Sequence, residues 1–304
     1  MYGIALSAST CIRAGTRVDV AWIVDRTGAD PSDPNEAVAI TPGGGRLGSL
    51  MSGALDSQLI ELAKVRSTKG RLFKLDIGAA DAAVAAVEPT TGVGCMLVPG
   101  SELPEELWDR LLARSPVCLV SELEAGTVTN TRLYTHDTID AMSDDARRMF
   151  EHGSTASEIF EDAVVTVLWP TSTLVIVGGG AIADSLRRIA KCMGWQCATA
   201  NNGNEAFGLI AGLSPLDSLV VLGHDLELTG AALTVALEGD VGYIGAVGPS
   251  RLQESRSDWL AYRGITDLAR VNGPAGLEIG ARNPQEVALA IAAEIVVTQT
   301  APTT

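Results

Sequence analysis

The hydrophobic positions in the second half of the chain predict alternating strands and helices. Leu174–Val177 is a run of aliphatic and β-branched residues, and an amphipathic segment that ends at Gly194 follows it after three glycines. Trp195–Ala200 then predicts a second strand, so the order is that of a βαβ unit. The same pattern predicts further strands at Ser218–Leu222 and Val241–Val247, and helices at Thr229–Leu237, at 250–262 and after an Asn283 N-cap.

The first half of the chain predicts a mixed α/β domain. Its strands are predicted at Arg17–Asp25, Glu36–Thr41, Phe73–Ile77, Gly94–Val98, Pro116–Leu123 and Thr127–Tyr134, and its helices at Asp56–Arg66 and Pro104–Ala113. Asp81–Val87 fits either a helix or a strand. Turn signals stand at Gly28, Pro31 and Pro34.

These elements predict two α/β domains in the order mixed sheet, then parallel sheet. We expect an N-terminal mixed α/β domain over 1–150, a connector over 151–170 and a C-terminal Rossmann-like domain over 171–304. Thr138–His152 is polar and charged, and it resembles a connector more than a part of the core.

The turn after the first strand of the βαβ unit has the glycine pattern of a dinucleotide-binding fold. Gly178, Gly180 and Ala183 follow the spacing G-x-G-x-x-A, and Gly179 lies between the two glycines. Gly178 permits a tight turn, Gly180 lets a phosphate approach the backbone, and Ala183 lets the helix pack closely on the sheet. The free N–H groups at the helix N-terminus favour an anion.

The second strand of this unit lacks the acidic residue that normally binds a ribose. It ends in Asn201-Asn202, and an Asn can hydrogen-bond a ribose hydroxyl only without charge assistance. The sequence therefore predicts weak binding of NAD or NADP at most. The alternative is a Rossmann scaffold without a cofactor.

Composition narrows the classes of partner. The 304 residues are 46% hydrophobic and 19% charged, with a formal net charge of −15, which argues against nucleic acid and anionic membranes as partners. The first residues lack the pattern of a signal peptide, and no apolar run approaches the length of a membrane span. We expect a cytoplasmic protein, and a homodimer on general grounds.

The cysteines and histidines do not predict a disulfide framework or a metal site. Five cysteines occur without a CxxC pair, which is typical of reduced thiols. Three histidines occur at spacings that do not suit metal ligands, so we expect no zinc site built by the protein.

Four stretches in the second half resemble the XdhC/CoxI family, the accessory proteins of xanthine dehydrogenase and related molybdenum hydroxylases. They are 174–183 (LVIVGGGAIA), 223–225 (GHD), 243–251 (YIGAVGPSR) and 273–296 (GPAGLEIGARNPQEVALAIAAEIV). The last stretch is long and keeps the order P-x-GL-x-IG-A-x-x-P-x-E-x-A.

The first half is similar to the family with two departures. The segment Gly48–Asp56 resembles the family's GSLSGGC motif, but Ala54 stands where a cysteine is expected. Gly92–Cys95 resembles the start of a second motif, Cys-Gly-Gly, but Met96 and Leu97 replace the glycines. The chain is thus similar to a divergent member of the family.

The resemblance implies an accessory protein rather than a conventional enzyme. Members of the family are taken to hold the molybdenum cofactor transiently, to assist its sulfuration, and to deliver it to a xanthine dehydrogenase-type hydroxylase. If that activity needs the first thiol, Cys95 is the remaining candidate.

Each candidate site residue also has a structural interpretation. Cys95 could handle sulfur, or it could be a buried, inert thiol. His224 and Asp225 follow a parallel strand and could contact a ligand, or Asp225 could cap a turn while His224 satisfies a backbone group.

Further candidates for phosphate or pterin binding stand in glycine-containing turns. Ser49, with Gly48 beside it, could donate to a phosphate or pterin, or be a turn residue. Arg251 at a helix start could bind a phosphate or merely be solvated. Gly276 and Gly280 could support a cofactor pocket or form a packing turn.

Three functional hypotheses follow from the sequence. The first is a molybdenum-cofactor chaperone, supported by the resemblance. The second is a nucleotide-dependent oxidoreductase, supported by the glycine pattern alone. The third is a degenerate scaffold that acts through a partner protein, supported by the departure at Ala54.

Overall fold

The computed structural model describes residues 1–25 and 35–300, so the turn signals at Gly28, Pro31 and Pro34 lie outside the described residues. The chain divides into two compact units, Met1–Pro170 and Thr171–Thr304. Both units are α/β, and the second contains a parallel sheet, which confirms the predicted fold class.

In the described part of the first unit, nine strands form one antiparallel sheet. The strands are β1 (Asp19–Asp25), β2 (Val38–Ile40), β3 (Arg46–Gly48), β4 (Arg71–Ile77), β5 (Thr90–Pro99), β6 (Val117–Glu124), β7 (Thr127–Tyr134), β8 (Ala156–Ile159) and β9 (Ala163–Leu168). Their order in the sheet is β3-β2-β1-β5-β4-β7-β6-β9-β8. The helices are α1 (Ala5–Arg13), α2 (Asp56–Ala63), α3 (Ala79–Ala85), α4 (Glu106–Leu112) and α5 (Asp144–Glu151).

Side chains of β1 alternate between two hydrophobic clusters. Val20, Trp22 and Val24 pack with α1 and α4, whereas Ala21 and Ile23 pack with α2 and α3. Successive side chains of a strand point to opposite faces of the sheet, so a strand that is apolar throughout is covered on both sides. The ambiguous segment Asp81–Val87 lies largely in the helix α3.

The segments expected to connect the two domains are part of the first unit. Phe150 of α5 is fully buried, and its ring lies 4.9 Å from the ring of His136 and 5.5 Å from that of Trp169. Within 151–170, β8 and β9 pair with each other, and β9 pairs with β6. The prediction of a connector over 151–170 is therefore corrected: strand pairing and the buried side of α5 make these segments part of the first unit.

In the second unit, the described residues form a five-stranded parallel sheet. The strands are β10 (Thr173–Val177), β11 (Gln196–Ala200), β12 (Ser218–Val221), β13 (Tyr243–Ala246) and β14 (Val271–Asn272). The helices are α6 (Ala181–Cys192), α7 (Gly203–Ile210), α8 (Leu226–Glu238), α9 (Ser250–Ala261) and α10 (Pro284–Thr300).

Helices cover both faces of this parallel sheet. Leu174 and Ile176 of β10 pack with α6 and α10, while Val175 and Val177 pack with α7, α8 and α9. The strand order is β11-β10-β12-β13-β14. The chain adds β11 on one side of β10 and the later strands on the other side, so the switch point lies between β10 and β12. Ligands of doubly wound sheets bind at such a switch point, beyond the carboxyl ends of the strands.

Candidate functional site: the carboxyl edge of the parallel sheet

The glycine turn lies at the switch point of the second sheet. Gly178 follows β10, and its backbone N–H donates to the carbonyl oxygen of Ala200 at 2.9 Å. Gly178 and Gly180 both have a φ of +103°, a conformation that side chains disfavour. A Cβ on Gly178 would lie 2.6 Å from the carbonyl oxygen of Leu222, so this glycine also permits close packing on the turn that follows β12.

Helix α6 begins directly after this turn with an open N-terminus. Its N-cap is Gly180, and among the described residues no side chain caps it. The backbone N–H of Asp184 is the first to bond within the helix, to Gly180 at 3.0 Å. Gly179 and Gly180 are exposed, while Ala183 is buried against the sheet as its position in the glycine pattern predicts. Unbonded N–H groups and the positive end of a helix dipole attract an anion.

The end of β11 carries a carboxylate that the sequence analysis did not assign there. Asn202 is the N-cap of α7, since its side-chain oxygen accepts the N–H of Glu205 at 3.0 Å. Glu205 in turn accepts the backbone N–H of Asn201 at 3.0 Å, and this bond holds the pKa of Glu205 below its ordinary value. The Asn-x-x-Glu spacing is that of a capping box, and it could have revealed this carboxylate.

Of the two candidate residues in the turn after β12, His224 and Asp225, the second caps helix α8. Asp225 is the N-cap of α8 and accepts the backbone N–H of Leu228 at 3.1 Å. His224 is exposed in the same turn, beside Gly223. The structure thus supports the capping interpretation for Asp225, and a ligand role for His224 stays a prediction.

A side chain of α9 hydrogen-bonds to the turn after β13. Gln253 donates to the carbonyl oxygens of Ala246 at 2.8 Å and Gly248 at 3.0 Å. Arg251, the predicted phosphate ligand, is exposed on the first turn of α9. The sequence did not predict a role for Arg256, which is 2% exposed. Its guanidinium donates to the carbonyl oxygens of Val247 and Gly223, which follow β13 and β12. In the sequence it is one of several arginines between 251 and 270, so nothing marked it as buried.

The loop after β14 is fixed to α10 through a shared carboxylate. Glu294 accepts the hydroxyl of Tyr243 at 2.6 Å and the backbone N–H of Gly276 at 2.8 Å. Burial and then Glu294 raise the pKa of the Tyr243 phenol, which therefore stays protonated. A Cβ on Gly276 would lie 3.2 Å from the Cβ of Ala290, which supports the packing interpretation of this glycine.

In the first unit, the motif Gly48–Asp56 runs from the last residue of β3 through a short 3-10 helix to the first residue of α2. The buried carboxylate of Asp56 pairs with Arg46 and accepts the backbone N–H of Leu50 at 3.1 Å. Gly48 has a φ of +76°, and a Cβ there would collide with the carbonyl oxygen of Ala37. Ser49 next to it is half-buried. These contacts give Gly48 and Asp56 structural roles. A ligand role for Gly48 and Ser49 stays a prediction.

The thiol positions of the first unit lie in its core. Ala54 is 6% exposed and packs with Leu50, so a cysteine there would also be largely buried. Cys95 is fully buried on β5, opposite Ile23 of β1 and Phe73 of β4. This burial favours the inert interpretation of Cys95.

The described residues contain neither a cluster of metal-binding side chains nor a membrane-spanning helix. Within 1–25 and 35–300, no group of three or more His, Cys, Asp or Glu side chains is placed to hold a metal ion. No helix in those ranges has the length and apolar character that crossing a membrane requires.

Residues 174–295 match the family model of the XdhC Rossmann domain. The second unit therefore matches the XdhC Rossmann domain. This confirms the resemblance to the XdhC family that the four stretches of the second half carry. The match does not reach the motifs at Gly48–Asp56 and Gly92–Cys95, so their resemblance stays a prediction.

A comparison with solved structures finds a likeness over almost the whole chain. The crystal structure of a xanthine dehydrogenase from Bacillus halodurans shares 16% sequence identity, with 99% of this chain and 96% of that chain covered and a TM-score of 0.47. No curated protein matches the sequence.

Proposed function

We propose that this protein is an accessory protein of a xanthine dehydrogenase-type molybdenum hydroxylase. In this proposal it binds the molybdenum cofactor transiently and assists its sulfuration or its insertion into the hydroxylase. The match of residues 174–295 to the XdhC Rossmann domain carries the proposal.

The carboxyl edge of the second sheet fits the phosphate of such a cofactor. Molybdopterin is a pterin with a terminal phosphate, and a phosphate needs several N–H donors and a positive potential. The exposed turn at Gly179 and Gly180 and the uncapped start of α6 supply both features. In this proposal the glycine turn holds the phosphate, and neighbouring turns of the same edge hold the remainder of the cofactor.

The thiols favour binding and delivery over sulfur transfer by the chain's own cysteines. Ala54 removes the first expected thiol, and Cys95 is fully buried. A thiol must ionise and reach its substrate to transfer sulfur, and burial opposes both. We therefore propose that neither of these two motif positions transfers the sulfur.

The second candidate function is that of a nucleotide-dependent oxidoreductase. The carboxylate of Glu205 favours it, because an acid at the end of the second strand binds ribose hydroxyls in dinucleotide folds. This carboxylate is already bonded to the backbone of Asn201, so we expect it to bind a ribose less strongly than a free acid would.

Titration of the purified full-length chain with molybdopterin, NAD and NADP tests these functions against each other. The proposal predicts saturable binding of molybdopterin with a dissociation constant no weaker than on the order of tens of micromolar, and much weaker binding of NAD and NADP. Tight NAD binding without molybdopterin binding would instead establish the second function. A chain that captures a purified hydroxylase but binds none of the three ligands would be a scaffold.

A further inference from the structure

Arg256 is a charged side chain buried at the carboxyl edge of the second sheet. It lies on α9 and is 2% exposed. One terminal nitrogen donates to the carbonyl oxygen of Val247 at 2.8 Å and to the side-chain oxygen of Gln253 at 3.2 Å, and the other donates to the carbonyl oxygen of Gly223 at 2.9 Å. All three acceptors are neutral, so these bonds orient the guanidinium without neutralising it.

The described residues leave this charge without a carboxylate partner. The Nε of Arg256 is buried and has no hydrogen-bond partner among them. Burial lowers the pKa of the guanidinium, which nevertheless stays protonated at neutral pH. A buried charge without a counter-ion destabilises a fold, and a bound anion relieves that cost.

The position of Arg256 connects it to the glycine turn through two contacts. Its bond to Gly223 holds the residue that follows Leu222, and the carbonyl of Leu222 packs against Gly178. Its bond to Val247 holds the exit of the next strand, β13. The guanidinium thus connects the end of β12, the strand next to β10 and its glycine turn, to the end of β13.

We infer that Arg256 is a positioning residue for a phosphoryl group bound at the turn Gly178–Gly180, and that its unneutralised charge selects an anion there. This inference rests on the proposed function, which places a phosphate-bearing cofactor at that turn. Arg256 fixes the turn after β12 through Gly223, and its charge raises the potential of the site without direct contact with the ligand. The ligand class is a phosphate ester or a diphosphate.

The test compares Arg256→Met, Arg256→Lys and Arg263→Met in the full-length chain, with inorganic phosphate and pyrophosphate as probes in isothermal titration calorimetry. Arg263 is the control, because it lies just beyond the end of α9, is exposed, stacks 3.4 Å from the ring centroid of Trp259, and already pairs with Glu227 at 3.3 Å. Its removal changes the net charge by the same amount as removal of Arg256.

We expect Arg256→Met to weaken phosphate binding about tenfold, the order of magnitude for loss of one charge near the site at an effective dielectric constant of about 20. The loss should be larger for pyrophosphate, which carries more charge. Arg256→Lys should bind both probes within about threefold of the wild type, since it keeps the charge, and Arg263→Met should match the wild type. Arg256→Gln is the second neutral variant if Arg256→Met does not fold.

Two results would overturn the inference while leaving the phosphate site in place. One is wild-type affinity of the neutral variants for both probes. The other is an equal loss in Arg256→Lys and the neutral variants, which would show that the charge of Arg256 does not select the anion. A wild-type chain that binds neither probe would overturn the phosphate site itself, and with it both the proposed function and this inference.

Discussion

The carboxylate of Glu205 accepts the backbone N–H of Asn201 at 3.0 Å, directly beyond the end of β11. An acid four residues further along the chain therefore reaches the place where the sequence offered only two asparagines. The bond lies beside the N-cap of α7, Asn202, whose side chain accepts the N–H of Glu205, so the two side chains both bond backbone N–H groups at the start of α7. Glu205 thus has a structural role at the edge where a ribose would bind.

Glu205→Gln tests this capping role through the pH dependence of stability. The pKa of Glu205 lies below its ordinary value of 4.5 in the folded chain, so its ionised form stabilises the fold above that pH. This contribution is lost as the pH falls through the lowered pKa. We expect Glu205→Gln to be less stable than the wild type at pH 7 in urea unfolding, and the difference to vanish in acid. A difference that is constant with pH would contradict the capping role.

Gly178→Ala tests the close approach of the glycine turn to β12. The new Cβ would meet the carbonyl oxygen of Leu222, and the φ of +103° adds strain. We expect a loss of about 1–3 kcal/mol in the free energy of unfolding. Gly179→Ala is the control, because its φ is not positive and no described atom lies within contact distance of its Cβ. Equal stability of the two variants would contradict this account of the turn.

The second unit was predictable from the sequence to a large extent. Three of its parallel strands, β10, β12 and β13, are short, mostly apolar runs, and its last helix begins at the predicted Asn283 cap, which accepts the N–H of Glu286 at 2.9 Å. Local sequence predicted secondary structure less well for short elements whose stability depends on residues far away in the chain. The short strands β3 and β14 depend on neighbours in the sheet for their stability, and α1 lacks a distinctive cap.

The site was only partly predictable, for physical reasons. The glycine turn follows from residue type and spacing alone, since few residues other than glycine adopt such a conformation. The role of Arg256 depends on where helix α9 lies at the sheet edge. Burial of Cys95 depends on the pairing of β5 with strands on both sides. No local pattern encodes these two placements, whereas the spacing of Asn202 and Glu205 is a local signal for the role of Glu205.

Phe150→Ala tests whether α5 belongs to the core of the first unit. The ring is fully buried against His136 and Trp169, so its removal leaves a cavity. We expect a loss of about 3–5 kcal/mol in the free energy of unfolding. Phe207→Ala is the control, because that ring is 62% exposed, and it should cost far less. A near-neutral Phe150→Ala would support a connector after all.

Thiol labelling tests the assignment of the cysteines. Cys192 is exposed on α6, whereas Cys95 and Cys118 are fully buried, and burial raises the pKa of Cys118 to about 12. Only an accessible thiolate reacts with iodoacetamide. We expect rapid labelling of Cys192 in the native chain, and labelling of Cys95 and Cys118 only after unfolding, as mapped by mass spectrometry. Rapid native labelling of Cys95 would revive it as a sulfur-handling residue.

The most direct test of a phosphate-bearing cofactor at the glycine turn is the binding of molybdopterin to Ala181→Asp. Ala181 is exposed in the first turn of α6. The helix dipole stabilises an acidic side chain there, but the same side chain repels an anionic ligand. Ala181→Asn is the control, with a similar shape and no charge. We predict that Ala181→Asp is at least as stable as the wild type and binds molybdopterin at least about tenfold more weakly, while Ala181→Asn stays close to the wild type. Unchanged binding by Ala181→Asp would place the cofactor elsewhere and contradict the account.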